Sequence, residues 1–240
     1  MSGDLAARLR TDLTAVIADA IRQQPRTLQK AIGPSEVGLS CSRALLHKLA
    51  GSPDPRAGEA AWRPAVGTAI HAQLEQWFRP LDRYLVEQRV EIGHYAGQTI
   101  AGTCDLYDTE TATIADWKTA SASKLKAYKA NGPSQQYRIQ AHLYGLGYAR
   151  STSHIPANVA LVWVARDGEL RDTHVWSEPW NPQVALDALA RLDALHAELR
   201  LIGLDAALDQ YQPCTDPWCR PCRDTQQPTT TAALFAQHLK

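Results

Sequence analysis

The chain has 240 residues, 45% hydrophobic and 21% charged, a composition that excludes a mainly disordered protein and suffices for one buried core or two small ones. Lysine plus arginine equals aspartate plus glutamate at 25 each, so a surface for polyanions must be local rather than a global basic excess. The longest apolar stretch, Ala157 to Ala165, falls far short of the roughly 20 residues that span a bilayer, and the opening MSGDLAARLR lacks the apolar core of a secretory signal. The expectation is a cytoplasmic protein without membrane contact, whose five cysteines are ligands or core residues rather than disulfides.

Residues 4 to 24 repeat apolar positions at helical spacing (Leu5, Leu9, Leu13, Val16, Ile17, Ala20, Ile21) up to Pro25, which predicts an amphipathic helix whose face docks on something. Ser35 is placed to cap a turn leading into Cys41, and Arg43 to Ala50 reads as a short helix ended by Gly51. After a loop through Arg63, Pro64 opens a helix to about Phe78. Three β-branched or aromatic runs follow, Tyr84 to Ile92, Gln98 to Tyr107 and Thr111 to Lys118, as expected of an antiparallel meander. Helical spacing returns over Ser123 to Ala130 and Pro133 to Arg150. Two further strands, Ala157 to Arg166 and Leu170 to Trp176, flank Asp167-Gly168, a two-residue hairpin signal. Asn181-Pro182 opens a helix to about Leu208, three cysteines then cluster in a loop, and residues 225–240 read as a frayed tail.

This order implies an α/β fold of the mixed-sheet (α+β) kind with helices on its faces. One domain is expected over residues 1–224: a helical part to residue 80, a core over 81–180, and a C-terminal helix with the cysteine loop over 181–224.

The sharpest chemical signal is Gly102-Thr103-Cys104-Asp105 followed eleven residues later by Asp116-Trp117-Lys118. Residues two apart on a strand share a face, so Asp116 and Lys118 project together, and a neighbouring antiparallel strand can bring Asp105 beside them. Two carboxylates and an ammonium suit phosphodiester hydrolysis: a hard cation held by carboxylate oxygens polarises the phosphoryl group and acidifies bound water. Lys118 can orient that water or offset charge in the transition state. The same three residues would also form an ordinary exposed cross-strand ion pair. Upstream, Gly67-Thr68-Ala69-Ile70-His71 lies on a helix with Glu75 one turn on, which makes His71 a candidate nitrogen ligand. Downstream, Gln140 and Tyr144 share a helix face, where amide and phenol could reach a phosphate or base.

Taken in order, the helical G-x-x-x-H, the G-x-x-D strand, the D-x-K strand and the Q-x-x-x-Y helix resemble the RecB-like nucleases of the PD-(D/E)XK superfamily, over roughly Gly67 to Tyr144. The resemblance implies a restriction-endonuclease-like core and a DNA exonuclease. It makes His71, Asp105 and Asp116 ligands of Mg²⁺ or Mn²⁺, Lys118 catalytic together with the two acids, and Gln140 and Tyr144 contacts to nucleic acid. Asp116 stands where many relatives have glutamate; Glu75 and Glu91 are weaker candidates for a supporting role.

Cys214, Cys219 and Cys222 are spaced C-x4-C-x2-C on a proline-containing loop, and Cys41 stands far upstream. Clustered thiols in a reducing compartment point to a metal site. Cys104, inside a strand, reads as core, which leaves Cys41 as fourth ligand. The spacing is compatible with a [2Fe-2S] centre or structural zinc. The resemblance implies instead a [4Fe-4S] cluster on one early and three late cysteines, joining the N- and C-terminal segments, although its usual late spacing is C-x2-C-x5-C. The cluster is expected to staple a very long loop.

Lys118, Lys124, Lys126 and Lys129 fall between Trp117 and Asn131 with no acid among them. Lys124 and Lys126 are therefore expected to meet the phosphates of single strands or DNA ends, although a solvated helix face would look the same. No P-loop motif occurs, so the chain acts alone or beside a partner such as a helicase or recombination protein. The rival readings are a non-catalytic DNA-binding assembly factor of recombination or CRISPR adaptation, and a zinc-stabilised scaffold.

Overall fold

Helix α1 (Ser2–Arg22) follows the predicted periodicity, but the face expected to dock is bare: Leu5, Leu9, Leu13, Val16 and Ile17 are exposed and Ile21 alone of the apolar stripe is buried. The computed structural model describes residues 2–24, 31–53, 59–217 and 219–226. Pro25, part of the loop before Trp62 and most of the expected tail lie outside them. Next come α2 (Pro34–Val37), α3 (Ser42–Leu49) and α4 (Trp62–Phe78). The predicted meander is β1 (Tyr84–Tyr95), β2 (Gln98–Asp108) and β3 (Thr113–Ala120). Then follow α5 (Ala122–Asn131), α6 (Gln135–Thr152), β4 (Asn158–Ala165), β5 (His174–Pro179), α7 (Pro182–Ile202), α8 (Leu204–Asp209) and α9 (Arg220–Gln226).

The strands form one sheet in the order β1-β2-β3-β4-β5, antiparallel throughout except for the parallel pair β3 and β4. That parallel step requires a crossover, which α5 and α6 supply. Helices cover both faces, because the alternating strands are apolar on each side. On one face α4 packs Leu74 over Val86, Leu106, Ala115 and Trp117. On the other, Ala141, Tyr144 and Tyr148 of α6 cover Cys104, Tyr107, Ile114, Leu161 and Trp163. A third cluster joins α3, α6, α7 and α8 through Leu45, Leu46, Leu143, Leu189 and Leu208. Among the described residues no helix is long and apolar enough to cross a membrane.

Two arginines fasten the N-terminal segment to the C-terminal helices. Buried Arg43 on α3 donates from Nη1 to the carbonyls of Leu208, 2.6 Å away, and Tyr211, 3.1 Å away. Arg191 on α7 donates to the carbonyls of Leu39 at 2.6 Å and Ser40 at 3.0 Å.

Three local expectations give way to other contacts. Asp167-Gly168 makes no two-residue hairpin: the connection from Ala165 to His174 contains a 3-10 turn at Leu170–Asp172. Asp167 Oδ1 is instead engaged by the backbone N–H of Ala122 at 2.7 Å, tying the loop to the start of α5. Ser35 lies inside α2, whose N-cap is Gly33, and Gly33 N–H donates to Glu36 at 3.0 Å. The helix begun at Asn181 stops at Gly203, whose φ of 79° ends α7 and starts the separate α8. At the other end, residues 225 and 226, expected in the tail, complete α9.

Candidate active site

The site forms where the sheet splits. β2 and β3 pair only over Leu106–Asp108 and Thr113–Ala115; beyond that they diverge, and the backbone N–H of Trp117 turns to a side chain. Asp105, the first residue past the fork, supplies it: its Oδ2 accepts from Trp117 N–H at 2.8 Å. Asp116 and Lys118 continue β3 on the α6 side, while His71 comes from α4, with Nδ1 3.4 Å from Asp105 Oδ1. Asp105, Asp116, Lys118 and His71 all line one cavity of about 600 Å³. Gly67, one turn before His71, brings α4 close to β3: a Cβ there would sit 3.3 Å from Thr119 Oγ1. Gly102 does the same for β2, where a Cβ would lie 2.9 Å from Pro34 Cγ and 3.1 Å from Tyr144 Cε1.

Asp116 is 3% exposed and forms an ion pair with Lys118. Its Oδ2 has no other close polar partner among the described residues, and the pair is a charge contact rather than an aligned hydrogen bond. Burial disfavours the carboxylate more than Lys118 supports it, lifting its pKa to about 6. For His71 burial opposes the charge, but the hydrogen bond and field of Asp105 outweigh it, so its pKa is raised. The α6 motif holds the lysine: Lys118 Nζ donates to Gln140 Oε1 at 3.0 Å, Gln140 Nε2 donates to Tyr144 Oη at 3.4 Å, and Nζ lies 4.9 Å from the centre of the Tyr137 ring. Burial, then the nearby carboxylates, keep Tyr144 protonated. Gln140 and Tyr144 line the cavity but are 5% and 8% exposed; Gln140 meets Lys118, and Tyr144 meets Gln140.

Lys124 and Lys126 stand exposed on α5 and do not line the cavity. Glu75 lines it and pairs with Arg79; Glu91 is exposed and lies apart from it. Two lining residues on β1 escape sequence reading, Glu87 and Arg89. Both sit at alternating positions of Tyr-Leu-Val-Glu-Gln-Arg-Val, where a polar residue signals only a solvent face.

Four cysteines converge elsewhere. The Sγ atoms of Cys41, Cys214, Cys219 and Cys222 lie within 4.8 Å of one another, a group able to hold a metal or cluster. Among the described residues no other His, Cys, Asp or Glu set of three is so tightly gathered; in the cavity, Asp105 Oδ2 is committed to Trp117 and Asp116 Oδ2 to Lys118. Cys41 caps α3, accepting from Ala44 N–H at 3.4 Å, and its Sγ is 3.4 Å from that of Cys222. Burial works against the Cys41 thiolate, but the Ala44 donor and the neighbouring thiols outweigh it and lower its pKa. Burial and the same crowding raise Cys219 and Cys222, so four thiolates this close need a cation to coexist. Cys104 is fully buried and its thiol donates to Leu106 O at 3.4 Å, apart from this group.

No family model and no curated protein matches the sequence. Solved structures do. The protein SSO0001 shares 16% identity at a TM-score of 0.51, over 76% of this chain and 85% of its own. An alkaline exonuclease, LHK-Exo from Laribacter hongkongensis, shares 12% at a TM-score of 0.51, over 75% of this chain and 91% of its own. Its complex with dAMP matches at 11% and a TM-score of 0.51 over the same shares. At these identities the likeness is one of fold: a five-stranded mixed sheet with flanking helices, shared with an alkaline exonuclease.

Proposed function

We propose that the protein is a divalent-metal-dependent deoxyribonuclease of the RecB-like kind that removes nucleotides from DNA ends or single strands. The observation that carries this reading is the gathering of His71, Asp105, Asp116 and Lys118 on one cavity at the fork of β2 and β3. The donor set fits a hard cation: two carboxylates and an imidazole, with one carboxylate oxygen sealed from water and met only by Lys118. His71, Asp105 and Asp116 would hold Mg²⁺ or Mn²⁺, which when bound supplies polarisation of the phosphoryl oxygen and acidification of water.

The chain's own residues do the rest. Asp116, ionised above its pKa of about 6, would serve as one of the ligands. Gln140 and the face of Tyr137 hold the Lys118 ammonium at the cavity, where it would orient the attacking water and offset charge on the phosphate. Lys124 and Lys126 on α5, with Arg89 on the cavity wall, supply phosphate contacts whose strength falls as salt rises. The four cysteines hold a [4Fe-4S] cluster in a structural role, a set of free thiols suited to the reducing cytoplasm. No helicase motor is present in the sequence, so a helicase or recombination partner is the expected source of unwound DNA.

The test is digestion of end-labelled DNA in Mn²⁺ or EDTA, with iron and sulfide analysis after anaerobic purification. Wild type should cleave only with metal, and Lys118→Ala should lose on the order of 100-fold or more in rate while keeping salt-sensitive DNA binding. The commitment of both aspartates to partners of their own favours one competing reading, a DNA-binding assembly factor, whose function Lys118→Ala would leave unchanged. A colourless protein with stoichiometric zinc and no cleavage would refute the nuclease and its cluster together.

A further inference from the structure

Glu87 has a left-handed backbone, φ 52°, in the middle of β1, a conformation that costs any residue with a Cβ and that a strand does not require. No turn demands it, since pairing continues on both sides, Val86 opposite Leu106 and Gln88 opposite Cys104. The effect of the flip appears in the packing. Val86 and Leu106 belong to the cluster under α4, whereas Val90 and Cys104 belong to the cluster under α6, although the two residues on each strand stand an even number of positions apart. The alternation of faces therefore slips at Glu87 and, across from it, at Asp105. The slip brings the Glu87 carboxylate into the cavity of His71, Asp105 and Asp116, within the field of Asp105 and His71. Among the described residues the Glu87 side chain makes no hydrogen bond or salt bridge. The Glu87 side chain is exposed on the cavity wall, where burial and then the negative field of Asp105 raise its pKa.

Resting on the nuclease reading, we infer that Glu87 belongs to the cation-binding set of this site as a positioning residue. Its left-handed backbone is kept because it turns a further carboxylate, acting through a bound water, to the cavity where Asp105 would hold the ion. Local strain is then the cost of added charge at the cavity, and relieving it separates stability from binding.

The experiment is Mn²⁺ titration by calorimetry, without DNA, on wild type, Glu87→Gln and Glu87→Gly, with melting curves of all three in EDTA. Both variants should lose about tenfold or more in Mn²⁺ affinity, the effect usual for a residue supporting metal ligands. Glu87→Gln should melt no lower than wild type, and Glu87→Gly should melt higher because glycine adopts the left-handed conformation freely. Affinities within twofold of wild type in both variants would overturn the inference alone. A Glu87→Gly that melts below wild type would also overturn it, since the backbone would then not be strained. A wild type that binds no Mn²⁺ would take the nuclease reading down with it.

Discussion

Asp116 lies at the fork of the sheet with 3% of its surface exposed, and burial outweighs Lys118 to lift its pKa from 3.8 to about 6. The folded protein therefore binds this proton more tightly than the unfolded chain does. The stability it contributes is fully present below pH 3.8 and is lost as pH rises through about 6. By neutral pH the ionised carboxylate costs on the order of 3 kcal/mol relative to its protonated form. Asp116→Asn removes that cost, in which the attraction of Lys118 is already counted; the net gain should reach up to about 3 kcal/mol at pH 7.5 and be near zero at pH 4. For a chain of this size that is a rise in Tm of up to about 6–12 °C. Melting curves in EDTA at the two pH values measure it. Mn²⁺ at a hundredfold excess over its Kd should then stabilise wild type by about 2.7 kcal/mol and leave the variant unchanged. An Asp116→Asn protein no more stable than wild type at pH 7.5 would refute the claim that this carboxylate is held against its preference.

Because Asp116 and His71 both have raised pKa values and must shed protons to act as ligands, Mn²⁺ affinity of wild type should climb between pH 5.5 and 7.5; calorimetry showing a flat profile would count against this ligand set. Cys41→Ala should abolish the visible absorption of anaerobically purified protein and lower stability by roughly 5 kcal/mol, the loop-closure cost over so long a segment, as read by denaturant melts. Arg43→Met should cost about 3 kcal/mol, since two carbonyls, of Leu208 and Tyr211, lose a charged donor, without altering metal-dependent cleavage.

Much of the arrangement is legible in the sequence because it depends on period. Strand alternation puts Asp116 and Lys118 on one face, helical spacing does the same for Gln140 and Tyr144, and turn chemistry sets the bounds of β1, β2 and β3. What a face meets is harder to read. The spacing of Gln140 and Tyr144 suits nucleic acid, and it does not reveal that Gln140 also accepts from Lys118 while Tyr144 accepts from Gln140, a relation fixed by the crossover of α6 beneath β3. The apolar stripe of α1 predicts a partner surface that Leu5 to Ile17 do not find in the described chain. Asp167-Gly168 carries the local signature of a tight turn, but the N–H of Ala122 competes for the aspartate. Glu87 is the clearest case: a φ of 52° leaves no trace in residue type when the residue is not glycine.

The N-terminal segment is secured twice, once by thiols and once by the guanidinium groups of Arg43 and Arg191. Oxidative damage to the thiols thus removes only one fastening, and carbonyl acceptors are indifferent to oxygen. Because Gly33 and Ser35 of that segment also wall the cavity, exposure to air should loosen that wall by degrees, with the segment still attached beside the carboxylates, rather than release it at a single stroke.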